Sequence, residues 1–252
     1  MIVLGYVALA YVLLPLAWTH YAHQRKLQGF SMTTVTSDGI PGDPLNVGLV
    51  GSEADVVCAM HAAGWSPADP ITLASSLKII GSVVFDRPYL DAPVSNLFYL
   101  GRKEDLAFQK PRGNSADRRD HVRLWKVLDS GDEGRKVWLG SAAYDRGVGL
   151  SRYTGEVTHK IGADVDAERD RLIGDLVEAR VVEATYDVTG IGPTLNGRNG
   201  DGFPYYTDGE IHFARLVADC RKRSEPPLAL ADPPIVNLKD AIWHGVEGAL
   251  AK

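Results

Sequence analysis

Hydrophobic and polar positions change their period several times along the chain, and each change predicts an element. Ile2 to Trp18 is a nearly unbroken apolar run, and the first 24 residues hold no Asp, Glu, Lys or Arg. A run of that length sits at the short end of what crosses a bilayer as a helix. Trp18 and Tyr21 stand where interfacial aromatics belong, and Arg25 and Lys26 follow. No basic region precedes the run and no small-x-small site follows it, so residues 1–24 are expected to form a transmembrane anchor rather than a removed signal peptide. With Lys and Arg on the C-terminal flank, the positive-inside rule expects the globular part in the cytoplasm.

Residues 25–44, ending in Gly39-Ile-Pro-Gly-Asp-Pro44, read as a linker, and residues 45–223 as one domain with its own core. Within it a 3.6-residue period predicts helices near 52–63, 70–85 and 164–179. Ser52 and Asp69 are the expected N-caps of the first two, with Pro70 at the first helical position of the second. Period-two segments predict strands over 45–50, 153–161, 180–189 and 210–217, and two hairpins. One hairpin joins 96–100 to 105–109 around Gly101–Glu104; the other joins 120–127 to 136–145 around the polar turn 129–134. Strands in adjacent hairpins predict an α+β domain: a mainly antiparallel sheet packed by about three helices, preceded by one N-terminal transmembrane helix. Residues 224–252 read as a Pro-rich linker and a short C-terminal helix from Asn237. Its Leu238, Ile242, Val246 and Leu250 share one side, which would dock on the domain or lie on a membrane surface.

The second hairpin carries most of the candidate chemistry. Val122 and Leu124 alternate with His121, Arg123 and Trp125, so the latter three share a sheet face. Arg119, Arg123 and Trp125 are candidate substrate-binding residues, since a guanidinium fork suits phosphate or carboxylate. A plainer reading, Arg stacked on Trp over a half-exposed face, competes and is favoured. His121, Asp145 and His159 fall on or just beyond strand ends and form a candidate catalytic set, with Arg169 and Asp170 as further substrate contacts. A His oriented by an Asp is a usual general base, and no nucleophilic Ser or Cys stands out, so water would be the nucleophile. Two His and carboxylates would also suit a divalent metal. Buried ion pairs knitting strand ends to the third helix explain the same residues without function, and acids in that helix's first turns suit its dipole. Asn199-x-Asp201, within a glycine-rich loop, hints at calcium but lacks the later Glu of an EF-hand; a loop with a lid role fits better.

Composition narrows the classes. A net charge of −5 gives no nucleic-acid signal. Cys58 and Cys220, without a CxxC, are expected to be buried free thiols. No phosphate-binding loop, nucleophile elbow or HExxH motif occurs, so no cofactor and no dedicated metal site is expected.

Several blocks in order, PGDPLNVGLVGS from Pro41, AAGWSPADP from Ala62, PVSNLFYLGRKEDLAFQKP from Pro93, then RRDHVRLW, WLGSAAYD, THKIGADVDAERD and YTDGE, cover most of residues 41–216. Over that span the chain resembles the LssY C-terminal domain family. The resemblance implies a membrane setting, because in relatives the domain often follows integral-membrane modules of the DedA or phosphatidic-acid-phosphatase type. The present chain is expected to carry no such module, so the resemblance transfers neither lipid phosphatase activity nor catalytic residues. Taken together, the sequence favours a membrane-anchored binding or accessory module, with a hydrolase of anionic, phosphorylated small molecules or lipids as the alternative. Expected partners are the membrane, an anionic small molecule or lipid headgroup, and other membrane proteins.

Overall fold

The computed structural model describes residues 1–15, 19–68, 97–112 and 118–250, with side chains through 246 in the last stretch. Its helices are α1 (Ile2–Ala8), α2 (Glu53–Ala62), α3 (Val165–Glu178) and α4 (Pro234–Leu250). The first strands are β1 (Thr33–Val35), β2 (Pro41–Pro44), β3 (Val47–Val50), β4 (Ser66–Pro67), β5 (Phe98–Tyr99), β6 (Arg102–Lys103) and β7 (Leu106–Pro111). The long pair β8 (Arg118–Leu128) and β9 (Val137–Leu150) follows, then β10 (Val157–Ile161) and β11 (Val182–Thr189). The last are β12 (Thr194–Arg198), β13 (Pro204–Thr207), β14 (Glu210–Leu216) and β15 (Leu228–Ala229). The helix expected near 70–85 lies outside the described residues.

The main sheet runs β15-β11-β14-β3-β9-β8-β7-β4, with β10 also on β9. Its pairings are antiparallel except β14 with β3 and β11 with β15. This is the mixed α+β architecture that adjacent hairpins predict. One edge of β9 serves two partners: β3 pairs with Val137–Gly140, and β10 with Asp145–Leu150. Asn46 bridges the interval. Its Nδ2 donates to the Ala142 and Val165 carbonyls at 3.0 and 2.9 Å, and its Oδ1 accepts from the Ala142 amide at 2.8 Å. A side-chain amide thus replaces a peptide in the ladder, satisfying backbone groups that would otherwise be buried unpaired.

Each face of the sheet has its own core. Alternation sends Val122, Leu124 and Trp138 to one face, where α2 and α3 cover them with Val56, Met60, Leu172 and Leu176. Ser52 caps α2 as predicted, and Asp55 completes a capping box despite being shorter than Glu. The opposite face buries Val137, Leu139, Trp125 and Phe213 beneath the N-terminal segment. Residues 25–44, read as a linker from their Gly and Pro content, supply that cover: Leu27 and Thr34 are fully buried, and β1 and β2 pair.

Three further expectations are corrected. Leu106–Pro111 does not return on 96–100; Leu100 and Gly101, both at positive φ, make a tight two-residue turn that pairs only β5 with β6. That leaves β7 to pair along β8. Cys58 on α2 and Cys220 beyond β14 are not free thiols but a disulfide, with Cα atoms 5.8 Å apart. Two cysteines 162 residues apart leave no spacing signal to read. Finally, the Pro-rich stretch after Cys220 is not only a linker, because β15 adds a parallel strand to β11.

At the N-terminus, α1 continues as a π-helical turn over Leu9–Leu13, and its apolar side chains are exposed. Among the described residues no helix is long and apolar enough to cross a membrane. The chain enters the domain at His20, whose backbone exchanges hydrogen bonds with Thr189.

Candidate functional site

The β8 alternation places Arg119, His121 and Arg123 on the face opposite α2 and α3, and strand register brings partners beside them. Asp145 of β9 is opposite Arg119, Ser141 opposite Arg123, and Gln109 of β7 opposite His121. Arg119 is 2% exposed; its Nε donates to Asp145 Oδ2 at 3.0 Å and a terminal nitrogen to Gln109 Oε1 at 2.8 Å. The same Asp145 oxygen lies 3.4 Å from His121 Nδ1. His121 Nε2 is buried without a hydrogen-bond partner among the described residues. Burial alone would raise the Asp145 pKa, but the charges of His121, His159 and Arg119 outweigh it and hold the group well below the usual carboxylate range.

A second carboxylate comes from outside the sheet. Asp43 of β2 is buried with its Oδ2 3.8 Å from Arg123. Burial pushes its pKa up, and Arg123, His121 and Asn199 offset this only in part. The two aspartates flanking His121 are therefore pulled in opposite directions, the pattern that separates acid and base roles in a site.

The roof is the turn between β12 and β13. Asn199 Oδ1 accepts from the amides of Asp201 and Phe203 at 3.1 and 2.9 Å, and Asp201 accepts from Thr158 of β10 at 2.9 Å. Gly200 is packed so closely that a Cβ would stand 2.3 Å from Thr36 Cγ2. The turn thus rests on the loop before β2. Between floor and roof is a cavity of about 240 Å³, reached by Arg119, His121, Arg123, Asp145, His159 and Asp43. Exposed Asp38 and Glu156 stand at its rim.

Five of the residues singled out from sequence therefore meet: Arg119, His121, Arg123, Asp145 and His159. The remaining three do not. Trp125 lies on the same face but further along β8, where it packs edge-on to Tyr99 at 5.9 Å in the second core and donates to the Arg102 carbonyl. Arg169 forks onto Asp208 at 2.8 and 3.0 Å and also binds Asp170 at 2.8 Å, tying α3 to the turn before β14. Asp170 is largely exposed on the outer side of that tie. Sequence reading missed Asp43, buried inside the segment read as a linker. Asn199 and Asp201, which sequence reading placed in a loop with a lid role after weighing calcium, line this pocket. Among the described residues no group of three or more His, Cys, Asp or Glu is arranged to hold a metal ion.

Residues 24–211 match the family described as the LssY C-terminus. The chain belongs to that family. The matched span holds every residue of this pocket, so the site is part of the LssY C-terminus domain and not an addition to it. Comparison with curated proteins and with solved structures gave no match.

Proposed function

We propose that this LssY C-terminus domain is a membrane-tethered binding module whose pocket takes a small ligand by its anionic group, phosphate or carboxylate. The observation that carries the reading is the buried floor, where Arg119, Arg123 and His121 converge and His121 Nε2 has no hydrogen-bond partner among the described residues. Arg119 is neutralised by Asp145, but Arg123 faces Asp43, a carboxylate that burial weakens as a counter-charge. In this buried setting two guanidinium forks and an imidazole offer an anion charge-assisted donors. The acidic rim at Asp38 and Glu156 favours a ligand whose outer end carries hydroxyls or an amine. Calorimetry with inorganic phosphate, glycerol 3-phosphate and phosphoethanolamine tests this. Binding that Arg123→Lys weakens supports the site, because the charge stays while the fork is lost. No heat with any of the three, on folded protein, overturns it.

The His121–Asp145 pair favours a second reading, hydrolysis. With Asp145 ionised behind Nδ1, His121 Nε2 can take a proton from water as that water attacks a phosphoryl or acyl centre, and return it to the alkoxide that departs as the ester bond breaks. Turnover of a generic phosphomonoester or carboxylester, lost in His121→Ala, would place the domain among hydrolases of anionic molecules.

The tether in this reading is the exposed apolar segment from Ile2. For its orientation, the disulfide supports an oxidising compartment, where such bonds persist. Lys26, half the basis of the opposite expectation, is engaged by the domain, its Nζ donating to the Ser130 carbonyl. Digestion of the domain by protease added to intact spheroplasts supports this side; protection until permeabilisation would return it to the cytoplasm.

A further inference from the structure

Exposed aliphatic side chains concentrate on two elements, α1 with its π-helical continuation, and α4. On α4, Ile235, Leu238, Ile242 and Val246 are 49%, 56%, 57% and 40% exposed. Spaced three or four residues apart, they make one stripe along the helix. The adjoining side of α4 is fixed to the domain: Val236 is fully buried, and the Lys239 ammonium pairs with Glu210 inside the protein. Glu210 also receives the other end of the chain, because His20 Nε2 lies 3.8 Å from its second carboxylate oxygen. The residue that follows the apolar N-terminal segment and the residue that docks α4 thus share one buried carboxylate.

We propose that α4 is an interfacial helix that lies in the surface of the bilayer beside the N-terminal segment, its Ile235–Val246 stripe in the boundary between headgroups and acyl chains. This rests on reading that segment as an anchor. The meeting of His20, beside that segment, and Lys239 of α4 on Glu210 names lipid as the occupant, since a helix fixed beside a span has the bilayer next to it. Lys239 is the only Lys or Arg of α4, and it is already paired with Glu210 and Asp240. The contact is therefore made by apolar burial and not by attraction to anionic lipid, unlike the basic helices that read surface charge. Two attachments, one spanning and one lying flat, fix the tilt of the domain relative to the membrane.

The test uses the full chain reconstituted in phosphatidylcholine vesicles carrying a photoactivatable group on the acyl chain, with adducts mapped by mass spectrometry. Adducts on residues 235–246, unchanged when an anionic lipid is added, are expected. They should disappear in the double variant Leu238→Asn, Ile242→Asn, whose thermal unfolding should match the parent because both side chains are exposed. Adducts confined to residues 2–14 overturn the proposal and leave the anchor standing. Adducts on 235–246 without any on 2–14 uphold α4 and reject the anchor. Cross-links from 235–246 to protein alone, whether residues 69–96 or a second copy, overturn the proposal.

Discussion

His121 and Asp145 stand one diagonal step apart on β8 and β9, and a single oxygen, Asp145 Oδ2, faces both the imidazole Nδ1 at 3.4 Å and Arg119 Nε at 3.0 Å. The carboxylate therefore keeps a strong partner when the imidazole is removed. His121→Ala should cost only about 1 kcal/mol, a fall in Tm of roughly 2–4 °C. Phosphate affinity should fall roughly tenfold or more, the worth of one charge-assisted hydrogen bond. Calorimetry beside a melting curve checks both. A large loss of Tm with binding intact would make His121 a structural residue.

Removing the charge of Asp145 should behave differently. Asp145→Asn leaves Arg119 buried opposite a neutral group and should cost about 3 kcal/mol at neutral pH. The sign of its pH dependence follows from the depressed pKa: the ionised form is favoured by folding, so its contribution is fully present above the ordinary value of 3.8 and is lost as pH falls through the folded value. Urea midpoints of parent and variant should converge below about pH 4. A gap that stays constant down to pH 2 would mean that Asp145 acts through shape rather than charge.

Trp125, by contrast, should report on the core alone. It is fully buried among Tyr99, Leu139 and their neighbours. Trp125→Ala should destabilise by about 3–5 kcal/mol, and the remaining folded fraction should bind phosphate as the parent does. Loss of affinity in the folded fraction would bring Trp125 back to the site.

The contrast between Trp125 and His121 also marks where sequence reading stops. Alternation correctly puts His121, Arg123 and Trp125 on one face, because side-chain direction follows from local geometry. It carries no information on what lies over that face. Each residue advances about 3.3 Å along a strand, so a few steps take the face from beneath the cavity to beneath the second core. Asp43 and Asn199 reach the pocket from segments far along the chain, and only the pairing of β1 with β2 and of β12 with β13 delivers them. Helix signals were local and therefore legible: Ser52 caps α2, and α3 starts at Val165 where a helix from 164 was expected. The β7–β8 pairing was not, because the glycine cue at Gly101 says where a turn is and not which strand beyond it will pair.

The disulfide makes its own prediction. Denatured without reductant, the chain should show no free thiol, since Cys58 and Cys220 are its only cysteines. Reduction should remove about 2–4 kcal/mol of stability, and the double variant Cys58→Ser, Cys220→Ser should melt at the reduced temperature whether or not reductant is present. Two titratable thiols in the untreated protein would refute the bond.

Closure by that bond also changes what a cut can do. The chain from Cys58 to Cys220 is a ring of covalent bonds that carries β4 through β14 and the floor of the pocket. The stretch with α1 and Asp43 and the stretch with α4 are two tails attached to opposite sides of its one sulfur clasp. A protease that nicks any peptide bond inside the ring opens it without dividing the molecule. The fragment bearing α1 and the fragment bearing α4 then travel as one species until a thiol separates them.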